Sequence, residues 1–326
     1  MGRLKKWASL FRRTPQDPAV LNIFTTEKCN FSCHYCSREL ADDVPGIDHR
    51  YQGEGFFRQK DLEVLLERYP GIKEVDFVGI GEPFLVPELF PMARCAKNAG
   101  KRTGVITNGS LLHRYWGEIG EVFDIVSVSL HGLNAEELEE VAGVKPALFQ
   151  RFVENISILV KKEIRQHPKL CVEASVVPLK SDMSRIVRAA EFCLEVGLPK
   201  MTIHNYLPYG LNDVEECLFD DDEVEWKVLQ DLKERFAGKL EIILPVPIKR
   251  NEDEMDWGCR SFFQILRVDA LGRVCGCHRI MVPREENGNW RTDSGVWKNE
   301  YFERMRRAFR RKEGIPKCCR YCPEAQ

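Results

Sequence analysis

The sequence predicts an α/β fold: a partial (β/α)6 barrel of parallel strands, TIM-like in plan, followed by a small module built from a β-hairpin and a helix. Three observations carry this. From about Val20 to Pro245, short segments rich in Val, Ile and Phe alternate with amphipathic stretches of helical length. Gly100, Gly197 and Gly238 fall where those stretches end and a helix stop needs a left-handed residue. After Pro245-Val-Pro247 the alternation ceases, and a turn-rich, cysteine-rich sequence takes over. The expected divisions are residues 1–18, 19–245 and 246–326.

The elements follow in order. In Met1 to Pro18, Leu4, Trp7, Ala8, Leu10 and Phe11 could share one face of a short helix ringed by Arg3, Lys5, Lys6, Arg12 and Arg13, which Pro15 and Pro18 would stop. A basic amphipathic segment can lie on an anionic membrane surface or pack on a barrel exterior with its charges solvated. The strand candidates are 21–25, 74–79, 102–107, 125–129, 170–177, 201–205 and 240–244, all expected to be buried. The helix candidates are 59–68, 86–99, 149–162, 181–196 and 221–236. Six or seven such units favour a partial barrel over an eight-unit one. Beyond them, 261–268 and 273–277 around Asp269-Ala-Leu-Gly272 predict a hairpin, and 297–312 a helix with a basic end.

Composition excludes several classes. The chain has 326 residues, 44% hydrophobic and 30% charged, with a net charge of −2. No global positive field is available for a dedicated nucleic-acid binder. There is no apolar run of membrane-spanning length and no signal-peptide pattern, so a cytoplasmic setting is expected. In such a setting the 13 cysteines point to metal or redox chemistry rather than disulfides.

Three of those cysteines form Cys29-Asn-Phe-Ser-Cys33-His-Tyr-Cys36, directly after the first strand candidate. Loops at the carboxyl ends of parallel strands are where barrel active sites are built. Three thiolates fill three of the four protein positions around a [4Fe–4S] cluster and leave one iron open. Zinc, with His34 or His49 as fourth ligand, is the rival.

This spacing, with Tyr35 before the third cysteine, resembles the radical S-adenosylmethionine (SAM) superfamily, over roughly Val20 to Gly210. The resemblance implies that the open iron binds SAM and that its reductive cleavage yields a 5′-deoxyadenosyl radical, the difficult chemistry belonging to the cofactors. It also implies roles for companion motifs. Gly79-Ile80-Gly81-Glu82 is similar to the family's Gly-Gly-Glu, where bare backbone and a carboxylate meet the SAM amino group. Thr107-Asn108-Gly109 places Asn108 at SAM, Ser129 matches a residue that contacts its ribose or carboxylate, and Leu207 in 205–210 lies where adenine contacts fall. His131 stands where Asp is common and is a candidate substrate or acid–base group. Glu173, on alternate positions of the fifth strand, would face the barrel interior and need a partner or ligand there.

Cys259, Cys275, Cys319 and Cys322 form a second set, in which the hairpin and a C-terminal C-x2-C come together. It resembles the twitch module, a shortened SPASM domain with one auxiliary [4Fe–4S] cluster. In layout and spacing the chain resembles an aminocyclitol dehydrogenase of that group. A zinc site is the alternative, and Cys318 could ligate in place of Cys319. A fully thiolate-ligated cluster would act as an electron relay. Cys277 and Cys318 would be hydrogen donors if the enzyme were an epimerase, or spare buried thiols.

The resemblance thus implies two [4Fe–4S] clusters, SAM, and a reductant such as flavodoxin or ferredoxin. The expected reaction is oxidation or epimerisation of a small biosynthetic intermediate. The alternatives are peptide maturation, for which only 28 residues precede Cys29, and a non-enzymatic electron carrier.

Overall fold

The computed structural model describes residues 14–34, 36, 55–79, 81–208, 213–277 and 284–326. Most of the basic amphipathic segment, together with Tyr35, His49, Ile80 and residues 209–210, lies outside them.

The chain alternates as β1 (Val20–Phe24), α1 (Gln59–Arg68), β2 (Glu74–Val78), α2 (Leu89–Asn98), β3 (Arg102–Thr107), β4 (Ile125–Ser129), α3 (Ala135–Ala142), α4 (Ala147–Ile158), β5 (Cys171–Val176), α5 (Met183–Val196), β6 (Lys200–Ile203), α6 (Glu223–Arg235) and β7 (Glu241–Ile243). Then come β8 (Ile265–Asp269), β9 (Arg273–Cys275), β10 (Arg284–Asn289) and α7 (Glu300–Arg311). One sheet holds every strand, in the order β10-β9-β8-β1-β2-β3-β4-β5-β6-β7. All seven strand candidates formed.

The sheet exceeds the expected six units. β8 pairs parallel with β1, Asn22 opposite Arg267 and Phe24 opposite Asp269, while β9 turns back antiparallel. The free edge of β1 is thereby covered by a strand from the C-terminal part of the chain, which joins the hairpin to the barrel sheet. The hairpin also starts later than expected. Residues Ser261–Gln264 make one helical turn, which buries Phe262 and Phe263 together. An extended strand would have sent them to opposite faces.

One face of the barrel strands is fully buried. Leu21 and Ile23, Val75 and Phe77, Val126 and Val128, Val172 and Ala174, and Met201 and Ile203 form the core against the helices. The alternate positions Asn22, Asp76, Ser129, Glu173, Ser175 and Thr202 are half-buried on the other face. That polar face is the barrel interior, and it explains why these strands are not the unbroken apolar runs of a fully buried parallel sheet.

Candidate functional site

The first cysteine motif sits on the carboxyl end of β1. Thr26 Oγ1 accepts the Lys28 N–H at 3.1 Å, a local side-chain turn that starts the loop. Helix α3, not anticipated from the sequence, holds the loop from outside. Asn134 caps its start by accepting the Glu137 N–H, and Gly143 ends it at φ 63°. Its last carbonyls, which have no helical partner, accept amides of the cysteine loop: Ser32 N–H donates to Ala142 O at 2.9 Å and His34 N–H to Val141 O at 3.1 Å. Cys29, Cys33 and Cys36 pack around Phe31, Leu138 and Ala142, a separate apolar cluster beside the main core.

The companion motifs close on this loop from the neighbouring strands. Glu82 N–H donates to Lys28 O at 2.8 Å. A methyl at Gly81 would meet the carbonyl oxygens of Thr26 and Lys28, the latter at 2.6 Å, so this crossing of two backbones admits only glycine. The buried Glu82 carboxylate accepts from Thr107 Oγ1 at 2.7 Å, Asn108 N at 2.8 Å and Phe84 N at 3.1 Å. It therefore ties the β2 and β3 loops together, and burial pushes it up to about 7 against those hydrogen bonds. Asn108 Nδ2 donates to Asn30 Oδ1 at 3.0 Å and stands 3.9 Å from Cys29 Sγ. Gly79 takes φ 131°, a conformation side chains avoid.

The remaining predicted residues are spread around the same rim. Ser129 ends β4 opposite Ser175 of β5. His131 Nδ1 lies 3.6 Å from Cys33 Sγ, its ring edge-on to Phe31. Burial, then Arg185, pushes His131 down to about 4, which keeps it neutral. Glu173 has found partners: its Oε2 accepts from Thr202 Oγ1 at 2.8 Å and pairs with Lys200 at 2.9 Å. Leu207 is half-buried beyond β6.

Sequence reasoning missed Glu27. It sits at the top of β1, with its side chain 8% exposed, and takes Arg273 Nη2 at 2.8 Å on one oxygen. Among the described residues its second oxygen has no partner, nor do Asn22 Oδ1 and Thr25 Oγ1 below it. Burial, reinforced by Asp269 and opposed by Arg273, pushes Glu27 up to about 7. In the sequence it is one acidic residue in a polar turn, and only the arrival of β8 and Arg273 buries it.

The second cysteine set gathers around a small cavity lined by Cys259, Cys277, Cys319 and Cys322 with Phe262, Phe309 and Glu324. Cys275 is not part of that lining. It ends β9 opposite Arg267, and burial pushes it up to about 12. Residues 275 and 277 lie two apart, but the chain leaves β9 after Cys275, and it is Cys277 that reaches the other three. Cys318 is half-buried and hydrogen-bonded to Cys319. Burial raises Cys259 as well, so Cys259 and Cys275 stay protonated unless a cation compensates.

Both places fit iron–sulfur groups in donor type. The first also fits SAM, with three thiols and unpartnered buried oxygens nearby. Among the described residues, no three or more His, Cys, Asp or Glu side chains converge on a single-ion position. No helix among them is long and apolar enough to cross a membrane.

Residues 23–220 match the Radical SAM superfamily. A Pyrococcus furiosus protein described as a tungsten-containing aldehyde ferredoxin oxidoreductase cofactor-modifying protein is 28% identical over 266 residues, covering 80% of this chain and 71% of its own length. PqqA peptide cyclase of Gluconobacter oxydans is 25% identical over 321 residues, 94% of this chain and 83% of that one. Streptococcus suis SuiB bound to precursor peptide SuiA shares the fold with a TM-score of 0.66 at 17% identity, covering 94% of this chain and 69% of that one. The anSMEcpe structure with bound AdoMet gives 0.64 at 16% identity, covering 94% and 85%.

Proposed function

Because the chain belongs to the radical SAM superfamily, we propose that it is an enzyme that cleaves SAM reductively and abstracts a hydrogen atom from its substrate, with a second cluster as electron relay. The family implies one [4Fe–4S] cluster and SAM. Cys29, Cys33 and Cys36 would hold that cluster. The observation that carries the reading is the convergence of Cys29, Gly81, Glu82 and Asn108 on one spot from three strand ends. When bound, the cluster and SAM supply the radical. The chain's own residues fix the geometry: α3 holds the loop, Gly81 lets the β2 turn touch it, and Glu82 locks β2 to β3.

For the relay, we assign Cys259, Cys277, Cys319 and Cys322, replacing Cys275 by Cys277 because the cavity lining favours it. A centre ligated by four thiolates has no open iron and carries electrons. An electron left on a substrate radical could pass there, giving net oxidation. With Cys277 occupied as a ligand, Cys318 remains the hydrogen-donor candidate for epimerisation. The surroundings of Ser129, His131 and Glu173 form the substrate-facing wall.

A peptide is the better-supported substrate class. Both a peptide cyclase and a structure holding a precursor peptide align over 94% of this chain. The cofactor-modifying relative keeps a small intermediate as the second reading. A candidate peptide deuterated at its reacting carbon should transfer deuterium to 5′-deoxyadenosine. A peptide that changes mass while the 5′-deoxyadenosine stays unlabelled would overturn the proposal.

A further inference from the structure

We propose that the outer face of α7 is the docking surface for an acidic one-electron carrier of the flavodoxin class, which delivers electrons beside the second thiol site. This rests on the reading of that site as a cluster site.

The observation is a segregation of charge in a chain whose net charge is −2. Between Glu300 and Lys317 the sequence has seven basic residues and three acidic ones. Arg306 is the exception among the seven: it is fully buried, lies over the Trp297 ring and bonds Glu303. Arg304, Arg307, Arg310, Arg311, Lys312 and Lys317 are all exposed. The acids offset them only in part. Glu303 is turned toward Arg306 and Thr14, Glu300 pairs with Arg307, and Glu313 lies exposed beyond the helix, which leaves six exposed basic residues against two exposed acids. Cations at a helix carboxyl end complement its dipole, which accounts for Arg310, Arg311 and Lys312. That effect fades within one turn, and it accounts for neither Arg304 and Arg307 nor Lys317 beyond the helix.

The inner side of the same helix gives the face its meaning. Phe309 lines the cavity shared by Cys259, Cys277, Cys319 and Cys322. A helix with its side chains is about 10 Å across, so a molecule seated on the outer face sits about one helix diameter from the thiols. Past the helix, Lys317 places one more exposed positive charge directly before Cys318 and Cys319. The surface is charged rather than apolar, which suits a partner that is steered in by the field and released after each transfer. The balance is simple. The carrier is oxidised by one electron, and the group held by the thiols is reduced by one. That group passes the electron on to the first cluster, which leaves the relay oxidised and able to accept the electron from a substrate radical; no bond is made or broken at the interface.

The test uses the full chain loaded with iron and sulfide, with a bacterial flavodoxin as the probe. The variant is Arg304→Glu/Arg307→Glu/Arg311→Glu. Its Kd for flavodoxin at low salt should rise at least tenfold and lose most of its dependence on salt. Replacing the three arginines by Gln should give an intermediate rise. Lys227→Glu/Lys233→Glu on α6 should leave the Kd unchanged. Dithionite-driven 5′-deoxyadenosine formation should be the same in every variant. An unchanged Kd in the triple variant, or an equal loss in the α6 variant, overturns the docking surface. So does a triple variant that loses binding to phosphatidylserine vesicles yet keeps flavodoxin. If the wild type makes no 5′-deoxyadenosine with dithionite, the failure belongs to the proposed function, because the Kd comparison stands without it.

Discussion

Replacing Gly81 by Ala would put a methyl into the crossing between the β2 turn and the cysteine loop. The added carbon would meet the Thr26 and Lys28 carbonyl oxygens, backbone atoms that no rotamer change can move aside. Overpacking of this kind costs about 1–3 kcal/mol. Relief by backbone movement would break the 2.8 Å hydrogen bond from Glu82 N to Lys28 O, a further loss of about 1 kcal/mol. The sum is roughly 2–4 kcal/mol, and a chain of this size should lose about 3–6 °C of Tm. The displaced loop begins at Cys29, so the first cluster should be lost before the fold. Calorimetry on the metal-free protein gives the Tm, and iron per chain after reconstitution gives the cluster. Iron should fall by about 4 per chain, from the ~8 of two [4Fe–4S] clusters. A variant with wild-type Tm and iron content would refute the idea that this crossing shapes the site.

Other outcomes follow from the same geometry. Cys277→Ala should lower iron by about 4 per chain, while Cys275→Ala should leave it unchanged; the reverse result would restore Cys275 as the ligand. Glu82 has a folded-state pKa of about 7, above its ordinary 4.5. The fold therefore favours its protonated form, and wild type should lose stability as pH rises from about 4.5 to about 7, on the order of 3 kcal/mol relative to Glu82→Gln. Parallel unfolding curves for the two proteins across that window would contradict this. Asn134→Ala removes the cap of α3 and should cost about 1 kcal/mol in urea unfolding. It should also speed amide exchange at Ser32 and His34, which α3 holds.

Much of this was legible because periodicity survives in single segments. Helix 59–68 has the expected bounds, and each of the seven barrel strands appears within a residue or two of its expected bounds. The cysteine loop was legible because C-x3-C-x2-C at a strand end is rare and specific. What the sequence hid was long-range pairing. Nothing local shows that Ile265–Asp269 pairs with β1, and that pairing buries Glu27 against Arg273. Helix α3 is hard to pick out because its eight residues, four of them Glu, make only about two turns and carry a short apolar stripe of Leu138, Val141 and Ala142. Both Cys275 and Cys277 belong to the hairpin, and spacing cannot say which one turns toward the C-terminal pair.

The central claim is that Cys29, Cys33 and Cys36 support reductive cleavage of SAM. Its most direct test is anaerobic incubation of the reconstituted protein with SAM and dithionite, comparing wild type with Cys33→Ala at matched concentration. Wild type should release 5′-deoxyadenosine and methionine in equal amounts, and the variant neither. Equal 5′-deoxyadenosine from both proteins would contradict the account.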